Sequence, residues 1–464
     1  MTATASSKPM GETVGQPTGG SAAVTTPVVP AKVGLVLMTL IIVAAVANLP
    51  LAMANVALPS IGVYFDASQT QLDLVAVGYS LGLACSVLWL GALGDRYRRK
   101  LMCILGVVIA IPAALIAGLA PSVQVLIAGR LLGGFAAGMA YPTTLALIAA
   151  LWGPGPGRTR SIALWAAIGG AISVFGPLLS GITLTYATWP WVFYAVIPLA
   201  VVALFLALRY IPAHVNESTE EVDNIGGILS VVLIGTFVLA LNFLPVAGYQ
   251  QFALGLLLIT VIALALFFLR QRRAANPLYD LKVAARPTFW VAAVAGIISR
   301  SLTTSVPVKK VGMASGTADL QRDLGGAIFN SLFGALLAAG YAAAMAAALA
   351  AAPGGATVLA SVTSQLEMSY SGAQAIAAQY PQYASQITAA AKTSFLAGDQ
   401  YAYIAGIISV LIGATLVFFF FPKHEKERKL EIGYHQEDLA KMAAAAGPVD
   451  DKLIPATAPA AGSD

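Results

Sequence analysis

The sequence predicts an all-α, polytopic integral membrane protein, and three observations lead to this fold class. Of the 464 residues, 58% are hydrophobic and only 10% are charged, whereas an ordinary soluble domain carries about 25% charged residues. The mean hydropathy is +0.80. Apolar runs of about 20 residues, long enough as helices to cross a hydrocarbon core of about 30 Å, recur along the chain. They are continuous, unlike the short alternating strands of a membrane β-barrel.

Ten of these apolar runs reach membrane length, and a further one does not. The predicted spans cover residues 33–56, 74–94, 101–119, 124–151, 163–185, 191–208, 225–247, 251–269, 325–350 and 401–421. The first run is too long for the core of a signal peptide, so we expect it to remain as a helix. The apolar segment 287–298 has 12 residues, about 18 Å as a helix, and is too short to span.

The positions of the 26 Lys and Arg residues predict the orientation. Cytoplasmic loops hold positive charge. If the N-terminus is inside, only Arg130 and Lys392 fall outside the inner loops and tails. We therefore expect both termini in the cytoplasm and the chain in the plasma (inner) membrane. Because the basic residues are distributed as about one cluster per inner loop, they do not indicate nucleic-acid binding.

These spans and charges divide the chain into seven segments. We expect a disordered cytoplasmic tail at 1–32, a six-helix bundle at 33–208, a cytoplasmic linker at 209–224, an inserted helix pair at 225–269, a second cytoplasmic linker at 270–324, a last helix pair at 325–421 with an outer loop at 351–400, and a cytoplasmic tail at 422–464.

The loop between the second and third spans, GALGDRYRRK, carries the most informative motif. Its glycine, aspartate and basic residues resemble the loop signature of the major facilitator superfamily, at Gly91, Asp95, Arg96, Arg99 and Lys100. The resemblance implies a gating role, in which Asp95 faces the N-terminus of a neighbouring helix. A simple positive-inside anchor would explain the arginines but not the glycine and aspartate. Arg98 stands where the family usually has glycine.

The fourth span places Arg130 in the apolar segment RLLGGFAAGMAYP. An arginine inside a membrane costs at least about 2.5 kcal/mol on insertion scales and is a functional candidate by default. The segment is similar to a second motif of the family, whose arginine is implicated in proton coupling. The alternative is an arginine near the end of a span, with its side chain reaching the lipid headgroups.

The fifth span contains AIGGAISVFGPLLSG, which is similar to the antiporter motif of proton-coupled drug exporters at Gly176, Pro177 and Gly181. A Gly-Pro pair kinks a helix and allows close approach of a neighbour. The resemblance implies a helix that seals against proton leakage. A proline-kinked helix without this role is the alternative.

The end of the first span, NLPLAMANVALP, resembles the signature of the fourteen-helix drug:proton antiporters. That family ordinarily carries an acidic residue five positions before Asn55, where this chain has Pro50. No acidic residue lies deep in any predicted span. Asp73, at the start of the second span, is the best remaining candidate for proton coupling. Its alternative is an acidic residue that stabilises the start of a helix at the membrane interface.

Other sources of energy or chemistry are not indicated by the sequence. There is no phosphate-binding G-x-x-x-x-G-K-[ST] loop for ATP, and the three histidines show no metal-binding spacing. We therefore predict a carrier rather than an enzyme, with no metal and no cofactor beyond the proton gradient. Its predicted partners are the lipid bilayer and an amphipathic or cationic small molecule.

The second half of the chain is shorter than the family resemblance implies. The segment 277–298 resembles the approach to the family's ninth helix, whereas 306–337 resembles the opening of its last helix pair. About four helices are therefore expected to be missing at a junction near 298–300. Both flanks of the short apolar segment 287–298 are basic, which agrees with removal of an even number of helices. A tilted helix running through Pro307 is the alternative. The function predicted is proton-coupled efflux of amphipathic drugs or related small molecules, which the deletion can impair. An inactive or regulatory remnant and a membrane scaffold protein are the alternatives.

Overall fold

The computed structural model is helical throughout the part of the chain that it describes. The described residues are 32–420, except 68, 153–155, 214–220, 245, 247, 287–310, 354, 356 and 357, together with 429, 430, 433 and 436. Within them, ten helical stretches are long and apolar enough to cross a membrane, and the predicted fold class of an all-α membrane protein is confirmed. The short apolar segment 287–298, the junction at 298–300, nearly all of the N-terminal tail and most of the C-terminal tail lie outside the described residues.

The first six spans are formed by seven helices, because a short break divides the sixth. Their bounds are α1 Val33–Phe65, α2 Gln69–Tyr97, α3 Arg99–Gly118, α4 Val123–Leu151, α5 Pro156–Tyr186, α6 Pro190–Tyr194 and α7 Val196–Tyr210. Local sequence explains several of these ends. Ser122 caps α4 by accepting a hydrogen bond from the Val125 amide at 3.4 Å, and Pro190 occupies the first turn of α6, where its missing N–H is not needed.

The next two spans form an antiparallel pair, α8 Asn224–Phe243 and α9 Gln250–Arg273. Asp223 caps α8 through a 3.0 Å hydrogen bond from the Gly226 amide to its Oδ1. A short helix, α10 Leu281–Ala284, follows α9. The pair packs together, and α8 also packs against α2. The inserted pair is therefore attached to the side of the first bundle.

The last two spans belong to helices much longer than the sequence predicted. They are α11 Val311–Ala351 and α14 Ala384–Phe420, with α12 Ala360–Met368, α13 Tyr370–Gln379 and a 3₁₀ turn at Pro381–Tyr383 between them. Thus α11 begins in the predicted linker, before residue 325, and α14 begins in the predicted outer loop, before residue 401. Hydropathy detects only the apolar part of such a helix, whereas Ala-rich and Gln-containing segments continue it because they are good helix formers.

The main hydrophobic core lies in the first bundle, where α4 is the most enclosed helix. From Ala136 to Leu151 every residue of α4 is buried, and α4 packs against both α2 and α3. The N-terminal part of α11 also packs on α2, since a Cβ added at Gly316 would stand 3.1 Å from the Val87 carbonyl oxygen. A separate small core around Tyr341 joins α11 to α12, α13 and α14.

Candidate functional site

The centre of the first bundle contains Arg130 as a buried cation. Arg130 is only 2% exposed to solvent. The Nε atom donates a 3.1 Å hydrogen bond to the Val75 carbonyl in α2, and Nη1 donates a 2.9 Å hydrogen bond to the Pro50 carbonyl in α1. The guanidinium carbon lies 4.7 Å from the centre of the Tyr79 ring, within cation–π range. The side chain therefore joins three helices inside the bundle and does not extend to its surface.

Two carbonyl groups of α1, at and near Pro50, belong to this centre. Pro50 lies inside α1, and a proline there removes one backbone hydrogen bond and disturbs the preceding turn. Two polar side chains bond to carbonyls in this stretch: Arg130 to Pro50, and the Tyr79 hydroxyl to Ala47 at 2.6 Å. This stretch of α1, with Arg130 and Tyr79 as its two donors, therefore forms one structural unit across α1, α2 and α4.

Arg130 is incompletely satisfied in this position. Its Nη2 atom is buried and has no hydrogen-bond partner, and among the residues that the structure describes it forms no ion pair. Asp73 lies near the start of α2, two residues before Val75, and is half-buried. The two sequence candidates for proton coupling are therefore brought to the same end of α2, but they do not pair with each other.

The loop signature forms a compact ion pair at the turn from α2 to α3. Asp95 Oδ1 accepts a 2.8 Å hydrogen bond from Arg99 Nε and lies 2.7 Å from Arg99 Nη2. The Arg99 and Asp95 side chains are 1% and 8% exposed, and Gly91 is buried one turn earlier. A buried pair of this kind rigidifies the turn because neither charge can be left alone at low cost.

The other basic residues of this loop, Arg96, Arg98 and Lys100, differ in their surroundings. Lys100 donates a 3.0 Å hydrogen bond to the Leu208 carbonyl near the end of α7, and the Arg96 guanidinium lies 5.6 Å from the Tyr97 ring centre. Arg98 has φ of 105° and ψ of 115°, a backbone conformation that favours glycine. The departure from the family pattern noted in the sequence thus falls on the residue whose backbone most needs glycine.

The predicted antiporter motif on α5 contains one glycine packed against a neighbour and one with open space around it. A Cβ added at Gly176 would stand 2.6 Å from the Ala52 Cβ in α1, whereas nothing lies within 4 Å of one added at Gly181. Pro177 is exposed. Of the two motif glycines, only Gly176 therefore permits a close helix contact in the described structure. Its contact residue, Ala52, lies two residues after Pro50 in α1.

The glycines that surround Arg130 have a packing role. A Cβ added at Gly134 would overlap the Tyr79 carbonyl of α2, and one added at Gly138 would overlap the Ser86 hydroxyl. On another face, a Cβ at Gly129 would be 2.8 Å from the Ala117 amide nitrogen of α3. These contacts hold α4 close to its neighbours and so fix the position of Arg130.

A polar junction at the start of α8 was missed by the sequence analysis. The Trp89 indole of α2 donates a 3.1 Å hydrogen bond to Asn224 Oδ1. Asp223 Oδ1 accepts a 2.9 Å hydrogen bond from Arg270 Nε of α9, and Gln271 Nε2 lies 3.4 Å from Asp223 Oδ2. The available signal was an Asp-Asn pair immediately before an apolar run, which is typical of a helix N-cap.

The same junction continues to the last helix pair through Tyr279. The Tyr279 amide donates a 2.9 Å hydrogen bond to Gln271 Oε1, and its side chain bonds to Thr317 of α11. Burial raises the pKa of the Tyr279 phenol, and the bond to Thr317 opposes this effect. The phenol therefore remains neutral at physiological pH and acts here as a hydrogen-bonding group.

Asp399 is another residue that the sequence analysis did not select. It lies inside the continuous helix α14 and lines a groove between α11 and α14. Asp399 lies just before the predicted span, which begins at residue 401. Recognising that the Ala-rich segment 384–400 continues the helix would have included it.

These observations define a multi-pass helical membrane protein with a polar centre inside its first bundle. Residues 40–398 match the Major Facilitator Superfamily, and the chain belongs to this superfamily. The family prediction is thereby confirmed, and the chain is a multi-pass protein of the cell membrane. Carriers of this superfamily are not enzymes. Among the described residues, no group of three or more His, Cys, Asp or Glu could hold a metal ion.

The curated relatives are bacterial resistance and efflux proteins. Multidrug resistance protein Stp of Mycobacterium tuberculosis (strain CDC 1551 / Oshkosh) is 33% identical over 244 residues, 52% of this chain and 45% of Stp. The multidrug efflux pump LfrA of Mycolicibacterium smegmatis is 34% identical over 227 residues, 48% of this chain and 45% of LfrA. The methylenomycin A resistance protein of Bacillus subtilis is 31% identical over 253 residues, 54% of each chain. The chain thus spans about half the length of the curated relatives that it matches.

Proposed function

We propose that this chain is a secondary carrier that exports amphipathic, often cationic, small molecules in exchange for protons. The observation that carries the proposal is Arg130, a cation buried between α1, α2 and α4 with one nitrogen unpartnered. A buried charge of this kind is expensive and marks ion or substrate pathways. Membership in the superfamily and the names of the efflux relatives support export as the direction of transport.

In the proposed cycle, the Arg130 centre senses proton binding. Asp73 lies at the end of α2 that Arg130 contacts through Val75. Protonation of Asp73 removes a negative charge from this end of α2 and changes the electrostatic environment of the guanidinium. Arg130 is bonded to the Pro50 carbonyl, so a shift of its side chain would be transmitted to α1 at Pro50. The centre thereby links the proton to the movement of a helix.

Two other motifs have proposed roles in the same cycle. The Asp95–Arg99 pair, with Gly91, Arg96 and Lys100, gives the α2–α3 turn a fixed shape that can latch and release on the cytoplasmic side. The motif of Gly176, Pro177 and Gly181 makes α5 a sealing helix, since its contact with α1 is apolar. Both termini are proposed to be cytoplasmic.

The alternative is an inactive or regulatory remnant of such a carrier, or a membrane scaffold. One observation favours it. Within the described residues only two candidate spans follow α9, whereas the second six-helix half of a fourteen-helix carrier would supply six spans after the inserted pair. An internal loss of about four helices near residues 298–300 would remove most of the second half. Alternating access places the substrate site between two halves, so this loss bears directly on transport.

Ethidium efflux from bacterial cells that lack their own exporters tests the proposal. Cells producing the chain should expel ethidium faster than vector controls, and a protonophore should abolish the difference. Arg130→Ala should reduce efflux to the control rate at equal membrane abundance, while Gly255→Ala in α9, which meets no neighbouring atom, should retain it. Absence of efflux with normal abundance would favour the remnant. A stable protein partner that co-purifies with the non-transporting chain, regardless of the proton gradient, would favour the scaffold.

A further inference from the structure

An open groove with one carboxylate lies between the two long helices of the last pair. The groove has a volume of about 610 Å³ and is lined by side chains of α11 and α14, among them Phe333, Leu337, Tyr403 and Leu411. Small-molecule sites commonly measure about 300–1,000 Å³. All lining residues are apolar or aromatic except Asp399. The groove therefore has the dimensions of a ligand site and a single negative group.

The carboxylate lies at one end of the groove along α14. The lining residues of this helix run from Asp399 to Leu411, an advance of about 18 Å along the axis. Residues from Gly406 onward in this series have no charge. A ligand along the groove would thus meet a negative group at one end and apolar walls along the rest.

Asp399 has no partner within the described protein. It forms neither a hydrogen bond nor an ion pair with any described residue. Asp399 is half-buried, and its groove is open. Lys392, two turns earlier on α14, is exposed and does not pair with it. A carboxylate beside an apolar, aromatic surface attracts an organic cation, because weakly hydrated cations gain both charge pairing and contact with aromatic faces.

We propose that the α11–α14 groove binds an amphipathic organic cation, with its charged head at Asp399 and its apolar chain along Gly406 toward Leu411. The charge and shape of the groove select this ligand class. The choice of an exported compound as the natural occupant rests on the proposed function. Binding itself does not require a transport cycle, so the groove can be tested in a chain that does not transport.

The test measures equilibrium binding of radiolabelled dodecyltrimethylammonium to the full chain in nanodiscs of zwitterionic lipid. Empty nanodiscs correct for partitioning into the bilayer. Asp399→Asn should weaken binding at least about tenfold, because a charge pair in a low-dielectric groove is lost. Gly406→Leu should weaken binding similarly. A Cβ added at this position would lie 3.6 Å from the Phe333 ring, so a leucine side chain would fill the groove.

Glu367→Gln is the matched control, because it removes a carboxylate that lines a different surface depression. It should leave binding unchanged. An equal loss in this control would mean that general surface charge attracts the cation, and full binding by Asp399→Asn would likewise overturn the proposal. Displacement of the cation by uncharged dodecanol at equal concentration would identify a lipid-chain site instead and also contradict it.

Ethidium efflux by the same variants separates this inference from the proposed function. If the parent chain binds the cation through Asp399 but does not transport, the groove stands and the proposed function fails. If the parent chain exports ethidium while Asp399→Asn changes neither binding nor efflux, the function stands and the groove proposal fails.

Discussion

Nη1 of Arg130 donates a 2.9 Å hydrogen bond to the carbonyl oxygen of Pro50, which stands at the position where the resemblance described in the sequence analysis implies an acidic residue. The protein thus places a main-chain acceptor beside the buried arginine where the resemblance implies a carboxylate. Because Arg130 Nη2 is unpartnered, this centre retains the capacity to bond to one more acceptor.

Pro50→Glu should supply that acceptor and stabilise the chain. A charge-assisted hydrogen bond contributes about 1.5–3 kcal/mol, so the apparent melting temperature in detergent should exceed that of Pro50→Ala, which removes the proline alone. In an Arg130→Ala background the order should reverse, since the introduced carboxylate would then be buried without a cationic partner. An identical difference between the Glu and Ala variants in both backgrounds would mean that the new side chain does not reach Arg130.

Arg98→Gly should stabilise the turn between α2 and α3. The φ of 105° at Arg98 is rarely adopted by residues with a Cβ, and such strain costs about 1–3 kcal/mol. Glycine removes this cost, so the apparent melting temperature should rise by a few degrees. Arg96→Gly is the control, because Arg96 lies in the last helical turn of α2 and glycine there should destabilise by about 1 kcal/mol. A decrease in both variants would show that the side-chain contacts of Arg98 outweigh its backbone strain.

The number of spans and the family were predictable from the sequence because they depend on side-chain types and their spacing. The partners of Arg130 were not, since two of them are main-chain carbonyls at Pro50 and Val75, and any residue could supply these. The packing of Gly176 against Ala52 depends on how two helices cross, which a single sequence does not specify.

The largest difference between prediction and structure concerns the ends of α11 and α14. Polar residues extend both helices beyond their apolar cores, as in the segment before Asp399. A hydropathy profile treats these extensions as loops because it measures transfer to lipid and not helix formation. The difference bears on function as well as structure, because a hydropathy profile places Asp399 in a loop, whereas the structure places it inside α14.

Two glycines of the antiporter motif should respond oppositely to the same substitution. Gly176→Ala places a methyl group 2.6 Å from the Ala52 Cβ, so α1 and α5 must separate, at a cost of about 1–3 kcal/mol. Gly181→Ala meets no atom within 4 Å and should stabilise the helix by up to about 1 kcal/mol. Thermal unfolding in detergent measures both. Equal destabilisation by the two variants would contradict the packing derived for α5.

Substitutions at Asp223 should separate its capping role from its ion pair with Arg270. Asp223→Asn keeps an oxygen that can accept from the Gly226 amide, whereas Asp223→Ala loses the cap, which alone costs about 0.5–2 kcal/mol. The Arg270 side chain is 38% exposed, so solvent screens the pair and its loss should add less than about 1 kcal/mol. The order of apparent melting temperatures should therefore be the parent chain, then Asn, then Ala. If Asn were as unstable as Ala, the ion pair and not the cap would be the main contribution of Asp223 to the junction of α8 and α9.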